Sequence, residues 1–112
     1  MLDLRPASAV PGPVAVFAAL GEPTRLQLFN RLCDGASRSI TALAADTRLT
    51  RQAVTKHLRV LETAGLVNCD RIGRESRFSL RSEPIDEMRA YLDRVSAQWE
   101  NALVRLKRHV ED

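Results

Sequence analysis

Five aromatic side chains, three Phe, one Trp and one Tyr, are all that this 112-residue sequence contains. A core built from it must be packed mainly with Leu, Val and Ala, which suits short helices. Cysteine is scarcer still: Cys33 and Cys69 are too few and too far apart in sequence to read as a disulfide framework. No apolar run reaches the length needed to span a bilayer, so no membrane partner is expected. The opening residues lack a basic stretch followed by an apolar one, so no secretory signal is expected and the cytoplasm is the default location. No Ser-His-Asp or Cys-His arrangement, no paired carboxylates in a pocket pattern and no phosphate-cradling Gly loop stands out, so no enzyme is expected.

What is present is 45% apolar residues, enough for one compact domain with a thin core. Domains this small often recover stability by burying more surface in an oligomer. The formal charge is only +3, but it is unevenly placed. Between Arg48 and Arg77 stand seven basic residues (Arg48, Arg51, Lys56, Arg59, Arg71, Arg74 and Arg77) against three acidic ones, Glu62, Asp70 and Glu75. The remainder is close to neutral. A basic middle of this kind is the electrostatic footprint of a polyanion partner.

Residues 1–13 hold Pro6, Pro11, Gly12 and Pro13 without helical periodicity and are expected to form a loose arm. A short helix follows, with Val14, Phe17 and Ala18 on one face and Leu20 near its end, broken at Gly21-Glu22-Pro23. Pro23 is placed as the first residue of a second helix burying Leu26, Phe29, Leu32 and Cys33 and ending at Asp34-Gly35. A third starts from Ser39 as N-cap and buries Ile40, Leu43 and Ala44. The fourth is the best specified, with Thr50 as N-cap, Leu49 and Val54 as a hydrophobic staple, and an inward stripe of Val54, Leu58 and Leu61. Gly65 sits where a left-handed stop is needed, with Leu66 folding back on Leu61. Two strands, Val67–Ile72 and Ser76–Leu80, then flank Gly73-Arg74-Glu75, with Val67, Cys69, Phe78 and Leu80 facing inward. His57 lies on the inner side of the fourth helix and reads as a buried, hydrogen-bonded residue that pins it.

The last helix, from about Pro84 to Val110, places Ile85, Met88, Leu92, Val95, Trp99, Ala102, Leu106 and His109-Val110 at alternating steps of three and four. That is a heptad seam. A rod of roughly 40 Å is longer than the domain needs for its own core, so the seam calls for another protein surface. The expected fold is therefore mainly α with a β-hairpin wing, about five helices and two strands in the order α-α-α-α-β-β-α. Residues 14–82 form a winged helix-turn-helix domain, and 83–112 a C-terminal dimerisation helix packed on it.

In a helix-turn-helix the second helix enters the major groove of double-stranded DNA with its N-terminal half leading. With Val54, Leu58 and Leu61 turned inward, the outward residues are Thr50, Arg51, Gln52, Thr55, Lys56 and Arg59. Arg can pair bidentately with guanine, Gln with adenine, and Thr can meet a thymine methyl or a phosphate. Lys56 and Arg59 are suited to gripping phosphates. A merely solvated face would usually mix both signs of charge, and no acid occurs from Arg48 through Leu61. Arg71, Arg74 and Arg77 decorate the hairpin and can reach phosphates or a narrow minor groove, Arg74 from the tip. Charge that keeps the hairpin edges soluble is the competing account.

Three stretches, ALGEPTRLQLFNRL (Ala19–Leu32), ITALAADTRLTRQAVTKHLRVLETAGLV (Ile40–Val67) and RIGRESRFSL (Arg71–Leu80), resemble the ArsR/SmtB family of winged-helix repressors. The resemblance covers most of residues 14–80, and the long last helix looks like a subgroup with an extended final helix. It implies a cytoplasmic homodimer formed by the first and last helices, through Val14, Phe17 and the seam Ile85, Met88, Leu92, Val95, Trp99, Ala102 and Leu106. Such a dimer would hold a dyad-symmetric operator and block transcription until an effector, which the resemblance does not name, releases it. One metal site of the family uses a Cys-x-Cys pair where this chain has Ser39 and Thr41, and soft metals need a thiolate. Another draws on the last helix, which has no histidine before His109. No metal and no other cofactor is therefore expected. Two alternatives remain: a thiol-redox-responsive repressor using Cys33 and Cys69, against which both are expected to face inward as inert buried thiols, and a winged-helix module that binds protein.

Overall fold

The structure is a computed structural model and describes residues 12–111. The expected arm lies outside the described residues save for its last two positions. Pro13 already belongs to the first helix, α1 (Pro13–Leu20), where a proline at the first turn gives up no intrahelical hydrogen bond. There follow α2 (Pro23–Leu32), β1 (Arg38–Ser39), α3 (Ile40–Ala45), α4 (Arg51–Thr63), β2 (Val67–Ile72), β3 (Glu75–Leu80) and α5 (Glu83–Glu111). No described helix is long and apolar enough to cross a membrane.

The strands form one antiparallel sheet in the order β1-β3-β2, one strand more than the hairpin read from the sequence. β1 is two residues long, pairing Arg38 with Phe78 and Ser39 with Arg77. Two residues carry no periodicity, so this strand exists only through its partner. In the hairpin Val67 faces Leu80 and Cys69 faces Phe78. Its loop is Gly73-Arg74 alone, with φ +63° at Gly73, the left-handed first position that a two-residue turn of type II′ uses.

Leu28, Leu32, Leu43, Val54, Leu58, Leu61, Leu66 and Phe78 are each 0–1% exposed and form the centre of the core. The inward face of α2 differs from the one expected. Phe29 and Leu32 are buried, but Leu28 joins them, while Leu26 is 43% exposed and Cys33 is exposed. Leu28 and Leu26 flank the Phe29–Leu32 stripe on opposite sides, so spacing cannot choose between them. Arg25 decides it: its guanidinium donates to the carbonyls of Ala19 (2.7 Å) and Ala18 (3.3 Å), turning α2 toward the end of α1. On α1 the buried residues are Val16 and Ala19, while Val14 and Phe17 point outward.

Both ends of α4 are closed as its sequence demands. The Thr50 hydroxyl accepts the Ala53 N–H (3.1 Å). At the other end the Gly65 N–H donates to the Glu62 carbonyl (2.9 Å) and the Leu66 N–H to that of Leu61 (3.0 Å). With φ +78° at Gly65, this is the paired hydrogen bonding of a Schellman stop. His57 is half-buried and lies 3.6 Å from a Glu22 carboxylate oxygen, an ion-pair distance, so the expected buried hydrogen bond is not made. Glu22 is the N-cap of α2, and the Arg25 N–H that its carboxylate accepts (2.8 Å) holds its pKa below the usual range.

Among the described residues, α5 is buried only in its first turns. Pro84 and Met88 are buried, Ile85 and Tyr91 lie against the core, and Tyr91 packs edge-on to Phe17 with ring centroids 6.3 Å apart. Met88, expected on a seam facing a partner, is thus taken up by the chain's own core. Beyond Tyr91 the helix runs on for five further turns, and Leu92, Val95, Trp99, Leu103, Leu106 and Val110 stay exposed.

Gly65→Ala is expected to lower stability by about 1–2 kcal/mol, the cost of forcing a side chain into the left-handed region. Urea unfolding at fixed protein concentration measures it.

Candidate nucleic-acid interface

α3, the turn 46–50 and α4 make the helix-turn-helix. Thr47 organises the turn: its N–H and hydroxyl both donate to the Ala44 carbonyl (3.0 and 2.9 Å), and its hydroxyl accepts the Leu49 N–H (3.2 Å). The Ser39 hydroxyl accepts the Ala42 N–H (3.1 Å) and so caps α3, which is its structural use at that position. With the Val54-Leu58-Leu61 stripe fully buried, the rotation of α4 is fixed. Arg51, Gln52 and Lys56 are exposed along its leading half. Thr50 is exposed; its hydroxyl accepts one bond at the cap and keeps its proton and a second lone pair. Thr55 is half-buried and donates its hydroxyl to the Arg51 carbonyl (2.7 Å), leaving its methyl and a lone pair for any ligand.

Arg59, expected to grip phosphates, is engaged within its own chain. Its guanidinium is 2.7 Å from the Glu62 carboxylate and lies over the Phe78 ring, 5.7 Å from the centroid. The hydrogen bond to Glu62 is the main reason its pKa is raised further. Arg77 is engaged likewise. It donates to the Ser37 hydroxyl and carbonyl (both 2.8 Å) and meets Glu75 at 3.1 Å, tying the approach to β1 onto β3. On the wing this leaves Arg71 and Arg74, both exposed and both without an acidic partner among the described residues. Arg48, counted in the basic stretch but not assigned to the surface, is exposed in the turn.

Three further arginines were silent in the sequence, because helix ends are recognised by their carbonyls and carbonyls carry no sequence signal. Arg25 closes the carboxyl end of α1, as described above. Arg31 closes that of α3 through the carbonyls of Leu43 (2.8 Å) and Ala42 (3.2 Å), with Asp46 3.2 Å away. Arg38 donates to the Arg31 carbonyl (2.9 Å) near the end of α2 and pairs with Asp34. Cations at these positions also oppose the negative end of the helix dipole.

Of the two thiols expected to face inward, Cys69 does so, packed against the core, and Cys33 does not. Cys33 is exposed at the C-cap of α2, its Sγ 3.3 Å from the Phe29 carbonyl, because the helix turns Leu28 inward in its place. Cys69 is half-buried on β2, opposite Phe78.

A helix-turn-helix domain family matches residues 20–70. The HTH-type transcriptional regulator Rv2034 of Mycobacterium tuberculosis is 37% identical over 92 residues, 81% of this chain and 81% of that protein. An ArsR-like transcriptional regulator from Rhodococcus sp. RHA1 superposes with TM-score 0.74 at 34% identity, covering 85% of this chain and 89% of that one. The homodimeric winged helix-turn-helix DNA-binding domain Mb0332 from Mycobacterium bovis, a possible ArsR-family regulator, gives TM-score 0.60 at 25% identity, covering 76% and 78%.

Arg77→Ala is expected to cost about 1 kcal/mol of stability, since its hydrogen bonds are partly screened by solvent. It should leave the salt dependence of DNA affinity unchanged, measured by anisotropy from 50 to 300 mM salt. A slope lower by about one would make it a phosphate contact instead.

Proposed function

The chain belongs to the ArsR family of winged helix-turn-helix transcriptional regulators, and from that premise we propose that it is a homodimeric repressor acting without a metal. The observation that carries the dimer is the apolar stripe of α5. Leu92, Val95, Trp99 and Leu106 are 40–65% exposed on a helix of 29 residues, about 43 Å long, whose contacts with its own domain end near Tyr91. Val14 and Phe17 add outward apolar surface on α1, the element that α5 packs against. A contiguous patch of this size in water favours burial against a second copy. Ala102 lies within this stripe, and Leu103 widens it. The homodimeric relative from Mycobacterium bovis supports the same reading.

A two-fold dimer presents two α4 helices, and the operator mirrors that symmetry, with half-sites about one helical turn apart. Gln52 and Thr55 face base edges from the leading half of α4, and Lys56 with the exposed arginines of the wing follows the phosphates. Occupancy of a promoter by the dimer blocks transcription. Metal independence is supported by donor chemistry. Ser39 and Thr41, which stand where family members place thiolates, carry hydroxyls, and Ser39 is committed to capping α3.

Trp99→Asp places a charge in the stripe. Sedimentation is expected to show a monomer where the unaltered chain is a dimer, and affinity for a promoter fragment should fall at least about tenfold, because one half-site then binds alone. In transcription from that promoter in vitro, adding the unaltered protein should lower the transcript. A rise would overturn repression, and a Trp99→Asp dimer would overturn the interface.

A further inference from the structure

Arg51, in the first turn of α4, and Arg74, at the wing tip, belong to segments far apart in the chain, yet both line one recess of about 110 Å³. Thr41 and Ser76 contribute hydroxyls to it, Ile40 is its one apolar residue, and Glu75 is its only carboxylate. That carboxylate is already engaged by Arg77 at 3.1 Å. Two arginines from distant segments therefore line one small, mostly polar space, whose one carboxylate among the described residues is paired with Arg77. Like charges brought together repel unless an anion lies between.

We infer that this recess seats a single backbone phosphate of the bound duplex, held jointly by Arg51 and Arg74. The inference rests on the reading of α4 and the wing as one DNA surface, and it assigns a ligand to one point of it. A phosphodiester offers two anionic oxygens, and two guanidinium forks arriving from different sides can each take one. The volume accommodates such a group, and Thr41 and Ser76 can donate to its remaining lone pairs.

The role of Arg51 changes accordingly. Its position at the head of the helix suggested guanine recognition, whereas sharing a recess with Arg74 makes it a positioning residue. Base reading passes to Gln52 and Thr55. The shared phosphate also couples wing to helix, because neither arginine can hold it in the same way once the other is gone.

The test uses the full chain and a duplex selected from a random pool by the unaltered protein, with a scrambled duplex for comparison. Arg51→Ala, Arg74→Ala and the double variant are measured from 50 to 300 mM salt. Both residues are exposed and circular dichroism checks that each variant is folded. Each single variant is expected to weaken both duplexes about tenfold, leaving their affinity ratio within about twofold. The double variant should lose little more than the worse single one, and its salt slope should fall by about one per protomer rather than two. Neutralising phosphates one at a time with methylphosphonates should find one position per half-site that weakens the unaltered protein and leaves both single variants indifferent.

Additive losses, two different phosphates for the two variants, or an Arg51→Ala ratio shifted more than about fivefold would each overturn the shared seat while leaving DNA binding intact. Failure of the unaltered protein to enrich any duplex would overturn both the seat and the reading it rests on.

Discussion

Val54, Leu58 and Leu61 are wholly buried against the rest of the core, and that stripe determines which side of α4 can face a ligand. A helix held by three such residues cannot roll without exposing them, at about 2–5 kcal/mol for each large aliphatic side chain removed from its site. The Thr50 cap and the Gly65 stop then fix its ends. Gly65 has a second consequence, since the Schellman stop turns the chain straight into Leu66, Val67 and β2. The wing therefore leaves the helix at a set angle, and Arg74 arrives beside Arg51.

The second organising feature is a division of labour among the arginines. Arg25, Arg31 and Arg38 are bound to main-chain carbonyls close to the ends of α1, α3 and α2. Arg59 and Arg77 are held by Glu62 and by Ser37 with Glu75. Arg51, Arg71 and Arg74 are exposed with no acidic partner among the described residues, and Lys56 is exposed on α4. Within residues 48–77 the positive charge left unpaired is thus smaller than the count of basic residues suggests, and it lies in the turn before α4, at the head of that helix and on the wing. That placement suits a helix-turn-helix regulator, whose contacts with phosphates fix register before any base is read.

Much of this was legible in the sequence where the signal is local. The cap at Thr50, the stop at Gly65, the inward stripe of α4 and the inward faces of the hairpin strands each follow from residues within a few positions of one another. What escaped depended on contacts distant in the chain. β1 is set by pairing with β3, and the inward face of α2 by Arg25 reaching back to α1, so Leu26 and Cys33 are outward where spacing alone put them inward. Met88 shows the limit of a heptad pattern, which says that a stripe is apolar but not which of its turns the chain keeps for itself. The exposure of Arg51, Gln52, Lys56, Arg71 and Arg74 was legible from the inward stripe of α4 and the alternation of the hairpin. The spending of Arg59 and Arg77 on neighbours could not be read, because it depends on where Glu62, Ser37 and Glu75 fall in space.

The central claim, that the head of α4 and the wing tip form one DNA surface while the capping arginines stand outside it, is tested most directly by amide and arginine side-chain NMR shifts during titration with the selected duplex. The account predicts changes concentrated at Arg51–Lys56 and Arg71–Arg74, with Arg25, Arg31, Arg38 and Arg77 unmoved. Shifts centred on the second half of α5 or on the capping arginines, with α4 silent, would contradict it.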